Sequence, residues 1–393
     1  MTHRRRDFLR RSALLAGLSI APRSLLRASP APTHPYAPGR ALDDIVSLAD
    51  AESAAGQITP RDFFEFVQSG AADERTLRWN TERFQEIMLR PRVLNDVSAL
   101  DTTVRLFGVE LSAPILLAPT SSNRILHPEG ELAVARGADR TGTAYVLSTL
   151  SNTPIEQVAA ATKAPLWFQV YPRPELAHTK DMMRRAEAAG ARAHCITVDS
   201  PVPGARNREE RAGFRLPPEL GYPHLTSRFE PGRFSLERVR PIRLVWAEVA
   251  ELIAHATVPV LLKGIMTPED ATEALKIGAS GIIVSNHGGR ALDTVPATID
   301  ALPAVADAVA GRAPVLMDGG VRRGTDIVKA LALGAQAVLI GRPYLHGLTL
   351  AGADGVAHIQ RLLLRELRMA LALLGCKDLA GVTPAVIAPR SWR

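Results

Sequence analysis

The sequence predicts a parallel α/β domain whose strands close into a barrel, and three observations carry that prediction. A short pattern recurs: a helical stretch ends in glycine, and an apolar run begins a few residues later. It appears in RAEAAG-ARAHCITVD at Gly190, ALKIG-ASGIIVS at Gly278, ALALG-AQAVLIG at Gly334 and ADRTG-TAYVLS at Gly142. Glycine enters the left-handed conformation that closes a helix without a Cβ penalty. The runs that follow are almost continuously apolar, as strands covered on both faces are. They also alternate with amphipathic helical segments, which argues for a parallel sheet.

Taken in order, the strand-like runs are 114–118, 144–148, 166–170, 193–198, 258–263, 281–285, 315–318 and 337–341. Eight strand–helix units favour closure into a (β/α)8 TIM barrel over an open doubly wound sheet, and one such barrel commonly fills a chain of this length. Helical segments are expected over 175–189, 268–277 and 324–333, and a helical cap over 42–80. One connection departs from the pattern. From Pro201 to about Ile242 the chain is rich in Pro, Gly and Arg with little periodicity, the signature of a functional lid loop. It follows the fourth strand, at the end of a barrel where chemistry is done.

The net charge of +7 is uneven: residues 1–31 hold seven Arg and one Asp, so the remainder is near +1. That leaves no basic footprint for nucleic acid. The leader RRRDFLRR at Arg4–Arg11 precedes a short apolar stretch, Ala13–Ala21. A basic region before a short apolar run reads as an export signal, and RRDFL resembles the twin-arginine motif. The run falls short of the roughly 20 residues that span a bilayer, so no stable membrane insertion is expected. Residues 1–31 are thus assigned to a signal peptide, 32–41 to a Pro-rich linker and 42–393 to the barrel domain. The expected location is periplasmic or otherwise extracytoplasmic, with a cytoplasmic protein as the alternative. Two cysteines, Cys195 and Cys376, make no disulfide framework. Cys195 lies in a strand-like run and reads as a buried thiol. No Cys/His cluster has metal-ligand spacing, so no metal is proposed.

Polar residues gather where the strands end: Pro119-Thr120-Ser121, Ser148, Gln169 with Tyr171, Thr197 with Asp199, Lys263, Ser285-Asn286-His287, Asp318-Gly319-Gly320 and Gly341-Arg342. Core packing does not account for polar groups at all eight ends. The seventh loop, Asp318-Gly319-Gly320-Val321-Arg322-Arg323-Gly324, offers small residues and cations before a helix start, and Arg342 adds a cation after the eighth strand. Barrels often bind phosphate between these two loops, although Gly-Gly alone would be a tight turn. In Ser285–Asp293, His287 and Arg290 flank two glycines. A histidine can take a proton near neutral pH, and an arginine can hold a carboxylate with two parallel hydrogen bonds. Lys263 ends an apolar run, where lysine is rarely buried unpaired; an anionic ligand, a Schiff base and a snorkelling side chain are the open readings. Asp199 ends its strand where it could orient a histidine or sit in a solvated turn.

SNHGGRALD at 285–293, DGGVRRGTDIVKALALGA at 318–335, IGRP at 340–343 and TVDSP at 197–201 resemble the FMN-dependent 2-hydroxy acid dehydrogenases and oxidases, with RPRVLNDVS at 90–98 and HPEGE at 127–131 extending the match. The resemblance covers roughly Leu42 to Ile387. It implies FMN contacts at Pro119, Thr120, Ser121, Ser148, Gln169, Thr197, Lys263, Ser285, Asp318, Gly319, Gly320, Val321, Arg322, Gly341 and Arg342. It implies that His287 is the catalytic base, that Asp199 stabilises its protonated form, and that Lys263 lies by the N1 and C2-carbonyl edge of the flavin. Arg290 and Arg206 would bind the substrate carboxylate, and Tyr171 would hydrogen-bond near the reacting oxygen. The implied reaction oxidises a small L-2-hydroxy acid to the 2-oxo acid. The electrons would pass to oxygen, a quinone or a cytochrome, and the protein would be a homo-oligomer, a tetramer by resemblance.

Two positions depart from the family pattern. Phe66 stands where members usually carry a tyrosine that donates to the substrate carboxylate, and Leu150 where glycolate oxidases carry a bulky tryptophan. Both lie on the substrate side. They keep open an alternative, an FMN-dependent isomerase or an enzyme modifying a peptide or other large substrate on the same scaffold.

Overall fold

The computed structural model describes residues 42–225 and 243–392. The expected signal peptide, the linker and the later part of the long loop lie outside the described residues. Three α-helices come first among the described residues: α1 (Leu48–Ile58), α2 (Arg61–Gln68) and α3 (Arg75–Gln85). They form the expected cap. Helix α1 starts at a capping box, in which the Ser47 hydroxyl accepts from the Asp50 N–H and the Asp50 carboxylate accepts from the Ser47 N–H. A cap of this kind is worth about 1 kcal/mol.

A hairpin follows, β1 (Val104–Leu106) with β2 (Val109–Leu111). The barrel then alternates β3 (Ile115–Leu117), α4 (Gly130–Asp139), β4 (Tyr145–Ser148), α5 (Ile155–Ala160), β5 (Leu166–Val170), α6 (Leu176–Ala188) and β6 (His194–Thr197). After the short α7 (Asn207–Ala212) come α8 (Trp246–His255), β7 (Val260–Ile265), α9 (Pro268–Lys276), β8 (Gly281–Val284), α10 (Thr298–Val309), β9 (Val315–Asp318), α11 (Gly324–Ala332), β10 (Ala337–Ile340) and α12 (Arg342–Leu374). Strands β3 to β10 form a closed parallel barrel, with β10 pairing both β9 and β3. All eight predicted runs become barrel strands, and Gly142, Gly190, Gly278 and Gly334 have the positive φ expected of helix-closing glycines.

The period of two along each strand divides the core into two. Outward residues such as Ile115, Leu147, Phe168, Ile196, Leu262 and Val338 meet the surrounding helices in one cluster. Inward residues Leu116, Val146, Trp167, Cys195, Leu261, Ile283, Leu316 and Leu339 fill the barrel itself. Full burial of each large side chain contributes about 1.5–3 kcal/mol. The hairpin, which sequence patterning did not reveal, closes the N-terminal end: Leu106 and Leu111 join the interior cluster, and the Phe107 ring meets Trp167 edge-on at 5.7 Å. Strands of three residues are too short to show alternation, which is why the hairpin escaped notice. The opposite end of the barrel is left for chemistry.

Candidate active site

Two residues beyond the inward apolar layer, the same period points each side chain into the mouth of the barrel. Val146 leads to Ser148, Trp167 to Gln169, Cys195 to Thr197, Leu261 to Lys263, Ile283 to Ser285 and Leu316 to Asp318. Strand register pairs Ser148 with Gln169 and Thr197 with Lys263. Ser148 Oγ donates to Gln169 Oε1 at 3.2 Å, and Gln169 Nε2 donates to Thr197 Oγ1 at 2.9 Å. Lys263 Nζ lies 2.9 Å from Ser285 Oγ and 3.0 Å from Asp318 Oδ2, and Ser285 Oγ donates to Asp318 Oδ1 at 2.7 Å. Burial disfavours the ammonium form of Lys263, but Asp318 and Asp199 outweigh it and hold the pKa above the ordinary lysine value. A buried, charged lysine with carboxylate partners suits an electron-rich edge of a ligand.

His287 stands over this layer on a backbone of three successive left-handed residues, His287 (φ 60°), Gly288 (63°) and Gly289 (73°). A non-glycine residue there costs roughly 1 kcal/mol or more, and such strain gathers at functional sites. His287 Nδ1 lies 2.9 Å from Asp199 Oδ1. The carboxylate can only accept, so Nδ1 carries the proton and Nε2 keeps its lone pair. Nε2 faces the Tyr171 hydroxyl at 3.1 Å. Burial alone would raise the Asp199 pKa; the His287 ring beside it, with further help from Lys263, brings it down to about 2. Burial, reinforced by Asp199, pushes Tyr171 up to about 12, so its hydroxyl remains a donor. Gly264 makes room for the carboxylate: at φ +111° it passes so close that a Cβ would sit 2.6 Å from Asp199 Cβ.

The arginines are organised by the cap. Arg290 donates to the carbonyl of Ser69 at 2.7 Å, and Arg342 to those of Val67 at 2.9 Å and Ser69 at 3.1 Å. The carbonyls at the end of α2 thus orient two loops at once, as expected of a helix C-terminus, whose free carbonyls attract cations. The Phe66 ring stacks on Phe214 with centroids 4.2 Å apart, and the Arg290 guanidinium carbon lies 5.6 Å from the Phe66 ring centroid as a cation–π pair. Burial, then Arg206 and Arg342, press the Arg290 pKa well below its ordinary value. Arg206 comes from the start of α7 and pairs with Glu209 at 3.1 Å.

The residues present fit FMN. Arg322 and Arg342 are half-buried, burial lowers both their pKa values, and their side chains donate to backbone carbonyls. Among the described residues neither forms a salt bridge. Two such cations beside Asp318-Gly319-Gly320-Val321 make a receptor for a phosphate dianion. The polar layer at the barrel mouth supplies donors and acceptors for a flavin ring. Thr120, one of the expected β3-loop contacts, is tied by its hydroxyl to Asn123 at 2.9 Å and to the Tyr344 hydroxyl.

Several participants escaped the sequence reading. Asn80 and Asn286 exchange side-chain hydrogen bonds at 2.9 and 2.8 Å, fixing the loop that carries His287. Ser200 Oγ lies 2.9 Å from Asp199 Oδ1 and 3.2 Å from His287 Nδ1. Ser200 could have been suspected from its place beside Asp199; Asn80 has no local signal. The described end of the long loop is stitched across the β3 and β4 loops. Tyr222 OH meets Ser122 Oγ at 2.9 Å, Asn152 donates to the Gly221 carbonyl at 3.1 Å, and the Ile155 N–H donates to His224 Nε2 at 3.0 Å. Cys195 is buried and its thiol is pushed up to about 12 by burial; Cys376 is also free and buried. Among the described residues no cluster could hold a metal ion, and no helix is long and apolar enough to cross a membrane.

Comparison with known proteins agrees with this geometry. The profile of the family described as FMN-dependent dehydrogenase matches residues 55–389. The chain is 43% identical over 357 residues to the L-lactate oxidase of Nostoc sp., covering 87% of this chain and 98% of that protein. It is 41% identical over 355 residues to glycolate oxidase 1 of Oryza sativa subsp. indica, covering 88% and 96%. A crystal structure of mandelate oxidase with (S)-2-phenylpropionate superposes with a TM-score of 0.81 at 40% identity, covering 87% and 98% of the two chains.

Proposed function

The chain belongs to the FMN-dependent dehydrogenase family and oxidises 2-hydroxy acids with FMN as cofactor; within that activity, we propose that His287 is the base and Arg206 and Arg290 the carboxylate receptors. The observation that carries this reading is the set Asp199–His287–Tyr171, in which Nδ1 of His287 donates to Asp199 and the unprotonated Nε2 faces the Tyr171 hydroxyl. FMN, when bound, accepts the two electrons removed from the substrate. The chain's own residues do the rest. Arg206 and Arg290 hold the carboxylate, Tyr171 donates to the oxygen at C2, and His287 Nε2 takes a proton. Asp199 then carries the countercharge of the imidazolium. Lys263 keeps positive charge next to the polar layer as the cofactor becomes more electron-rich.

The substrate is an L-2-hydroxy acid, and an apolar side chain is favoured by Leu150 and by the Phe66–Phe214 stack near Arg290. Dioxygen is the acceptor in this reading, because the similar proteins are named as oxidases; the atoms balance as the 2-oxo acid plus hydrogen peroxide. The twin-arginine motif at Arg5-Arg6-Asp7-Phe8-Leu9 supports export of the folded, FMN-loaded protein and keeps a quinone or cytochrome as the second reading. Self-association into a tetramer belongs to the same proposal. It is supported by exposed Val93, Leu94 and Leu373, brought together where the Arg92 N–H meets the Leu374 carbonyl. The test is aerobic turnover of glycolate, L-lactate and L-mandelate with peroxide and oxygen both measured. One peroxide per oxygen, with L-mandelate ahead of glycolate, is expected. Oxidation of the acids by a quinone but not by oxygen would reverse the acceptor assignment.

A further inference from the structure

The two arginines read as carboxylate receptors already share a carboxylate. Glu209 Oε2 lies 3.1 Å from Arg206 Nη1 and 3.6 Å from Arg290 Nη2. The atom is buried, yet it accepts no aligned hydrogen bond among the described residues. Its hold on the pair is therefore charge at short range, without the parallel N–H···O geometry that makes an arginine–carboxylate pair strong. Arg290 needs such a neighbour, because burial and the positive charges of Arg206 and Arg342 all act against its charged form, and Glu209 acts for it.

Glu209 cannot readily leave. The adjacent Arg208 pins α7 to the cap, with Nε 2.8 Å from Glu74 Oε1 and Nη1 3.4 Å from Glu65 Oε2. The Ala72 N–H also donates to the Ala205 carbonyl at 2.7 Å, fixing the approach to α7. An incoming carboxylate must share the guanidinia with an acid that stays close.

We propose that Glu209 is a resident counter-ion of the substrate-carboxylate site. It holds the Arg206 and Arg290 guanidinia facing one another, and it lowers the affinity of the site for anions. Two cations and one resident carboxylate leave one positive charge to be neutralised, so the site suits monocarboxylates and disfavours a second acidic group nearby. Glu209 is a positioning residue, acting through the two arginines. The inference rests on the reading of Arg206 and Arg290 given above.

The test uses FMN-loaded full-length protein and two probes, propionate and its neutral isostere propionamide, with binding read from the perturbation of the flavin spectrum. In Glu209→Gln, propionate is expected to bind about 5-fold more tightly, while propionamide changes by less than about 2-fold. A merely structural glutamate would weaken both probes or neither. An unchanged or raised Kd for propionate overturns the inference. Should the glutamine variant not fold, Glu209→Asp withdraws the carboxylate by one methylene and is expected to tighten propionate about 2-fold; equal or weaker binding overturns the inference. Failure of the wild-type protein to bind propionate at all would instead overturn the assignment of the arginines.

Discussion

His287 Nδ1 and Asp199 Oδ1 are 2.9 Å apart, and that contact settles which ring nitrogen is free to act as a base. With Asp199 held at about 2, it remains a carboxylate throughout the working range. Asp199→Asn would keep the shape of the contact but could leave the proton on the wrong nitrogen. Turnover is expected to fall on the order of 10²–10⁴-fold with FMN content unchanged. Steady-state kinetics with flavin quantitation checks this, and a loss below tenfold would remove Asp199 from the mechanism.

Lys263 and Asp318 form a buried ion pair at 3.0 Å. Lys263→Met would leave the buried Asp318 carboxylate without its cation, with only the Ser285 hydroxyl donating to it, at a cost of about 3–5 kcal/mol. Adding Asp318→Asn is expected to restore most of the stability but not the activity. Chemical denaturation of the single and double variants measures the coupling; equal instability of the two would show that the pair is not the source of the loss.

Much of this site was legible in sequence because barrel geometry converts a period of two into position. Once Trp167, Cys195, Leu261 and Leu316 are placed inside, Gln169, Thr197, Lys263 and Asp318 follow two residues later, at the barrel mouth. His287 and Arg290 announced themselves by their glycines. What could not be read arises from contacts across long separations. Asn80 meets Asn286 from 206 positions away, and the Val67 and Ser69 carbonyls that orient Arg290 and Arg342 are backbone atoms without sequence identity. Glu209 lay in a stretch with little periodicity, and only the fold of α7 brings it to the arginines.

Phe66 presents a ring without a hydroxyl, which the Arg290 guanidinium approaches at 5.6 Å. Phe66→Tyr would add a donor near the carboxylate receptors at little steric cost. A hydrogen bond to a charged group is worth about 1.5–3 kcal/mol, so KM for a 2-hydroxy acid is expected to fall by about tenfold or more. A KM that does not fall would place the ring edge away from the carboxylate.

His224 ties the long loop to α5 by accepting the Ile155 N–H at 3.0 Å. Burial, aided by the positive charge of Arg185, lowers its pKa from 6.5 to about 4. A histidine whose folded value is depressed contributes stability that is fully present above its unfolded pKa and is lost as pH falls toward the folded value. The sign gives a loss of about 2 kcal/mol between pH 7.5 and 5. Thermal melts at the two pH values should show a smaller drop for His224→Gln than for wild type; parallel curves would dissociate the loop from this residue.

In the proposed reaction His287 takes the proton while the bound flavin takes the electrons. Its most direct measurement is anaerobic stopped-flow reduction of the FMN-loaded protein by L-mandelate and L-lactate, with His287→Asn alongside. Full bleaching of the flavin is expected in the wild type, with reduction slowed on the order of 10²-fold or more in the variant at equal FMN occupancy. Equal rates in the two proteins, or no bleaching of the wild type by any 2-hydroxy acid, would contradict it.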